Sequence, residues 1–171
     1  MLHAKVIDSA KEKIDILKAE TFLSSSNFGA IIYFVGTVRD LNENKKVTGI
    51  TYDSRDTMVI KSFEEIYKES ETKLKIKDKA VFIEHVKGYV AVKEKSIIIG
   101  VACRHRNEAY NLSRFIIEEI KKRTPIWKKE HYTNEEINSI HGPIGIDLGG
   151  KSAPEIALSI IAQLVSETYK S

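Results

Sequence analysis

Cysteine is almost missing from this sequence. Cys103 is the only one in 171 residues, so no intrachain disulfide can form and no zinc site built on paired cysteines fits. That scarcity suits a reducing compartment. Proline numbers three and glycine nine, too few for a collagen-like or linker-dominated chain. No apolar run approaches the roughly 20 residues that span a bilayer. The opening stretch from Met1 to Lys18 lacks the apolar centre of a secretory signal. The expectation is a cytoplasmic protein that meets no membrane. Walker loops, dinucleotide glycine fingerprints and metal-ligand clusters are also missing, so neither a metal nor a cofactor is expected. Charge of one sign is not in large excess either: 27 Lys and Arg face 24 Asp and Glu, for a net charge of +3. A strong nucleic-acid binder usually concentrates its basic residues in a stripe. Here most charges alternate in sign, as on solvated helix faces.

What is present suffices for a core. Hydrophobic residues make up 42% of the chain and charged residues 30%, the balance of one ordinary domain, or of one domain with an appendage. The residues after Asp8 and Ser9, either of which can cap, predict a short N-terminal helix with Ile14 and Leu17 on one face. Gly29 to Asp40 reads as a buried strand that turns polar after Gly36. "LNENKK" reads as a turn, and "VTGITYD" as a second strand pairing with the first in a hairpin. A helix follows from Arg55, with Met58, Phe63, Ile66 and Tyr67 on its apolar side. Two more strands, "KAVFIEHVKGYV" and "EKSIIIGVACR", precede the clearest helix in the chain. Asn107 can cap that helix, Ala109, Leu112, Phe115, Ile116 and Ile120 form its stripe, and Pro125 ends it. "IWKKE" reads as a short extended piece. The core order is β-β-α-β-β-α after an N-terminal helix, an α+β pattern.

Three clusters can carry chemistry. Arg39 sits at the end of a buried strand in "GTVRD", where rigid scaffolds present ligand-binding groups; the plain alternative is a surface pair with Asp40. In "CRHRNEAY" a buried strand runs into Arg104, His105 and Arg106 and then a helix, a combination suited to an oxyanion. His105 can also move a proton near neutral pH, or be a structural histidine. In "KKRTPIWKKE" basic residues crowd Lys121 to Lys129 around Pro125 and Trp127. Helix C-terminal lysines explain Lys121 and Lys122, but not Lys128 and Lys129 beyond the proline. Cys103 ends a buried strand, where thiols are usually inert.

Taken together, "GAIIYFVGTVRD", "VTGITYDSRDTM", "GVACRHRNEAY" and "IKKRTPIWKKE" resemble the large, catalytic subunit of molybdopterin synthase, the MoaE family, over roughly residues 25 to 130. The resemblance implies an α/β hammerhead fold. It implies conversion of a cyclic pyranopterin monophosphate into molybdopterin, a sulfurtransferase reaction of molybdenum cofactor biosynthesis. The sulfur comes from a C-terminal Gly-Gly thiocarboxylate on a small ubiquitin-like carrier of the MoaD type. It also implies a central homodimer with a small subunit at each end. By position, it assigns substrate contacts to Thr37, Val38, Arg39, His105, Arg106, Lys129 and Glu130, and the essential lysines to Lys121 and Lys128. Lys121 is expected nearer the thiocarboxylate and Lys128 nearer the pterin. Guanidinium and imidazole donors suit a phosphate-bearing ring, and lysines can stabilise developing negative charge or shuttle protons. The "TYDSRDTM" segment departs from the family pattern through Arg55.

Beyond Glu130 that likeness fades. "HGPIGIDLGGKSAPEIALSIIAQLVSE" looks like the end of the XdhC/CoxI family, which assists molybdenum-cofactor maturation. It holds four of the nine glycines and a helix start with Ser152 as cap, Pro154 in the first turn and Glu155 after it. Ile156, Ile160, Ile161 and Leu164 form its apolar face. The expected division is a catalytic domain over 1–140 and an XdhC-like turn and helix over 141–171. The rival reading is a non-catalytic anion- or nucleic-acid-binding module built on Lys121 to Lys129. The small net charge and the lack of RNA-type aromatic motifs weigh against it.

Overall fold

The stretch from Ser96 to Cys103 is buried at every position, as expected of a strand covered on both faces. It is the centre of the fold. In a computed structural model that describes residues 1–24, 27–133, 157–162 and 165, the chain divides into two compact units, Met1–Tyr132 and Thr133–Ser171. The first unit runs β1 (Leu2–Asp8), α1 (Ile16–Ser24), β2 (Ala30–Thr37), β3 (Leu41–Asn42), β4 (Lys45–Ser54), α2 (Asp56–Lys73), β5 (Lys79–Ala91), β6 (Lys95–Cys103), α3 (Arg106–Arg123) and β7 (Ile126–Tyr132). This is an α+β architecture. In the second unit, residues 157–162 are helical. The expected cap at Ser152, Pro154, Glu155, Ile156, Leu164 and the glycine run lie outside the described residues.

The long β5 joins two sheet regions. Its first part pairs with β6 on one side and, in parallel, with β1 on the other. Past Gly88 it pairs with β4, which in turn pairs with β7. Gly88 has φ +99°, and a Cβ there would lie 2.3 Å from Ser9 Oγ. The β5–β6 turn closes around Lys93 at φ 69°. One face of the sheet packs on α2 and α3 through Val59, Phe63, Ile66, Leu112, Ile116 and Ile120 against Ile83, Ile97, Ile99 and Val101. The other face packs on α1 through Ala19 and Leu23 against Phe82, Ile98 and Ala102. Gly100 lets α1 approach, since a Cβ there would meet Leu23 Cδ1 at 2.6 Å.

Several expectations change. The N-terminal residues form a strand, β1, before the helix. Asp8 then caps a turn through its own side chain, bonded to the Ala10 N–H at 3.0 Å, and α1 starts later, with Asp15 accepting from the Leu17 N–H at 2.9 Å. β2 pairs with β6 and not with β4. The turn instead folds β3 onto β4, with Glu43 and Asn44 both at positive φ, the signature of a tight hairpin. In α2, Val59 is buried and Met58 exposed. The N-cap of α3 is His105, whose N–H bonds to Glu108 Oε2 at 3.3 Å; Asn107 lies inside the helix. The extended "IWKKE" is part of a full strand. Among the described residues no helix is long and apolar enough to cross a membrane.

Candidate active site

Two strand ends converge where the sheet regions join. β2 loses its register with β6 between Gly36 and Thr37, an irregularity of the kind that re-aims side chains at strand ends. The chain is then held to the β5–β6 turn: the Val38 N–H bonds to Glu94 O at 3.0 Å, and Val38 O accepts from Lys93 N–H at 2.8 Å. Val38 itself is buried in the α1-side core. It is an anchor that fixes its neighbours and does not line the cavity. Thr37 and Arg39, on either side of it, do line one.

That cavity is about 160 Å³, and its wall includes Thr37, Arg39, Asn42, Tyr52, Lys128 and Glu130. β7 brings Lys128 and Glu130 there because residues two apart share a strand face; the register sets Lys128 opposite Tyr52 and Glu130 opposite Ile50. Glu130 is the hub. Its Oε1 accepts from Lys128 Nζ at 3.0 Å. Its Oε2 accepts from the Tyr132 hydroxyl at 2.7 Å and from Asn42 Nδ2 at 2.7 Å. The Tyr132 hydrogen bond, helped by Lys128 and Asn42, holds its carboxyl below the usual carboxylate range against the opposing effect of burial. Arg39 is exposed and pairs with no carboxylate among the described residues, Asp40 included. Its guanidinium is therefore available to an anionic ligand.

The other expected site residues lie elsewhere in the protomer. Lys129 lines a neighbouring open groove of about 560 Å³ with Trp127, Lys87 and Gly88, which Tyr52 and Lys128 also border. Lys121 is exposed on the last turn of α3 and does not line the Arg39–Lys128 cavity. His105 and Arg106 open α3, beside the start of β2: Ala30 pairs with Cys103, and Gly29 passes so near that a Cβ would lie 2.8 Å from Arg104 O. Seven strand steps, about 23 Å, separate Ala30 from Thr37. The His105–Arg106 pair and the Arg39–Lys128 cavity thus sit at opposite ends of β2.

Sequence reading missed Asn42, Tyr52 and Tyr132. Asn42 was hidden in a turn-like stretch. The i, i+2 spacing of Lys128, Glu130 and Tyr132 was the available signal, once "IWKKE" is recognised as a strand. Tyr52 is braced by His85, edge-to-face at 5.0 Å. Burial holds the His85 imidazole below its ordinary pKa, while its Nδ1 lies 2.8 Å from Val86 O. Among the described residues no group of three or more potential ligands could hold a metal. Cys103 is fully buried, and burial pushes its thiol up to about 11.

Comparison with known proteins sets this geometry in context. A sequence profile of the MoaE protein matches residues 9–123, and one of the XdhC Rossmann domain matches residues 118–164. Lys121 falls within both matches; Lys128, Lys129 and Glu130 fall within the second. The molybdopterin synthase catalytic subunit of Pyrococcus abyssi is 38% identical over 119 residues, which are 70% of this chain and 79% of that protein. The crystal structure of molybdopterin synthase from Staphylococcus aureus superimposes with a TM-score of 0.69 at 27% identity, covering 76% of this chain and 91% of that chain. A protein-protein complex of subunits 1 and 2 of molybdopterin-converting factor from Helicobacter pylori gives a TM-score of 0.60 at 26% identity, covering 77% and 90%.

Proposed function

The chain belongs to the MoaE protein family, and on that premise we propose that it is the catalytic subunit of a molybdopterin synthase. It takes sulfur from the C-terminal thiocarboxylate of a small ubiquitin-like subunit and installs it on a cyclic pyranopterin monophosphate to build the dithiolene. The observation that carries this reading is the meeting of Arg39 and Lys128 over one cavity. A guanidinium unpaired among the described residues and a lysine positioned by Glu130 suit a phosphate-bearing substrate whose reaction develops negative charge.

In each transfer a bond forms between the thiocarboxylate sulfur and a pterin side-chain carbon as that carbon's bond to oxygen breaks, the oxygen leaving as water or as one end of the opened cyclic phosphate. Water then cleaves the acyl–sulfur bond. The carboxylate returns to the carrier, and the sulfur stays on the pterin. Arg39 binds the phosphate. Lys128, held by Glu130, stabilises oxyanion character at the pterin, and Lys121 serves the thiocarboxylate. The sulfur does not pass through Cys103, which is buried and protonated. The lone reduced thiol agrees with a cytoplasmic setting.

Two features support a homodimer. The cavity, about 160 Å³, is below the roughly 300 Å³ typical of small-molecule sites, so one protomer holds only part of the substrate. Among the described residues β2 is an edge strand, paired on one side only, and its sequence AIIYFVGT carries no charge. Soluble proteins rarely leave such an edge open. Pairing two copies of β2 antiparallel about a two-fold axis sets the Ala30 end of one beside the Thr37 end of the other. His105 and Arg106 of one copy then reach the Arg39–Lys128 cavity of its mate, which unites the two groups that a single protomer keeps apart.

The test is reconstitution from thiocarboxylated small subunit and the cyclic pyranopterin monophosphate, with the dithiolene product assayed. Wild type forms product. Lys128→Ala loses roughly 100- to 1000-fold in rate, the scale of removing one oxyanion donor, and Lys121→Ala falls to a similar degree. Unchanged rates in both variants would refute the assignment.

A further inference from the structure

Away from the cavity of Arg39 and Lys128, one buried carboxylate lacks a full set of donors. Glu84 of β5 is 1% exposed. Its Oε1 lies 3.0 Å from His3 Nε2, and its Oε2 has no hydrogen-bond partner among the described residues. Buried polar atoms are nearly always partnered, so an orphaned acceptor asks for an explanation. Glu84 also lines a cavity of about 530 Å³, together with His3, Leu17, Lys18, Phe22 and Phe82. The walls are aromatic. His3 stacks on Phe82 with centroids 4.2 Å apart and planes 10° from parallel, and Phe22 is tilted against both at 5.8 Å.

The other polar groups of this cavity are engaged. Asp15 caps α1. The Thr21 hydroxyl donates to Leu17 O at 2.8 Å. Lys18 is bonded to Glu12, and it lies near enough to Glu84 to feel its charge. A second cation entering here would face Lys18 and His3. The occupant that fits is flat, uncharged and rich in N–H donors. The His3 side chain, 35% exposed, covers the carboxylate edge, so an occupant reaches Glu84 by displacing that ring.

We propose that this cavity binds a neutral planar heterocycle with adjacent N–H and NH2 donors, the amino-pyrimidinone edge shared by guanine and pterins. Glu84 accepts from that edge and Phe22 faces the ring. The site is separate from the sulfur-transfer cavity and does not rest on that reading.

Titration of the 15N-labelled full chain tests it, with guanosine, unsubstituted pterin and adenosine as probes. Guanosine or pterin should shift the amide signals of His3, Leu17, Phe22 and Glu84, and the one that does identifies the source of the ring. Adenosine, which lacks the donor pair, should leave them in place. Glu84→Gln should weaken binding by roughly tenfold or more. Leu17→Trp, at an exposed position, should block the cavity while leaving the fold intact, and Lys128→Ala should bind as wild type does. The proposal is overturned if neither ring binds, if adenosine binds equally, if both cavity variants bind unchanged, or if the shifts are confined to Arg39 and Lys128.

Discussion

His85 braces Tyr52, which lines the Arg39–Lys128 cavity, and its burial has a pH signature. Its folded-state pKa lies below the ordinary 6.5 because burial disfavours the imidazolium. Below pH 6.5 the unfolded chain takes up a proton that folded His85 refuses. Its share of stability is therefore complete above about pH 6.5 and is lost as pH falls from there through the folded value. Denaturant titrations from pH 8 to 5 should show a decline that is shallower in His85→Gln than in wild type; equal slopes would mean that His85 does not titrate with folding. Cys103 gives a second residue-scale prediction. With its thiol raised to about 11 and fully buried, it should resist alkylation at pH 8 in the native protein and react at once in denaturant. Rapid native labelling would contradict its buried place at the end of β6. Cys103 was legible as an inert thiol because it closes an unbroken apolar strand. His85 was not, since nothing in "FIEHVKGYV" says which polar side chains turn inward.

At the scale of elements, the sequence revealed most of the helices and strands but few of their partners. Periodicity placed α2 and α3 well, because each has a sustained apolar stripe. β1 escaped because its alternation, with His3 and Lys5 on one face, is short and polar, and its parallel partner β5 lies about 80 residues away. The β2–β4 hairpin was expected because neighbouring strands usually pair. Instead, β6 offers β2 an apolar run from Ile97 to Cys103, with register from Ala30–Cys103 to Thr37–Lys95. The open, uncharged edge of β2 carries the prediction for this scale. Tyr33, at 37% exposure, should tolerate Tyr33→Lys without loss of fold, while the charge and lost apolar surface weaken edge pairing. Sedimentation or light scattering should show wild type as a dimer and the variant shifted to monomer. A variant that stays dimeric at low micromolar concentration would place the interface elsewhere.

For the whole molecule, the candidate site was legible as residue types before it was legible as a place. Arg39, Lys128 and Glu130 were marked by sequence, and the fold brings them together through β2 and β7. His105 and Arg106 were marked as well, but about 23 Å of strand separates them from that cavity within one chain. The resemblance implied a homodimer, but nothing in the residues themselves says which surface the second copy meets. The molecule-scale account is that two protomers complete each other's site, and complementation tests it most directly. Lys128→Ala and Arg106→Ala proteins, each expected to be inactive, are mixed, dissociated and reassembled, then supplied with thiocarboxylated small subunit and the pterin substrate. Each mixed dimer retains one site with both wild-type groups, so dithiolene formation should return to about a quarter of the wild-type rate. A mixture as inactive as its two components would contradict the shared site.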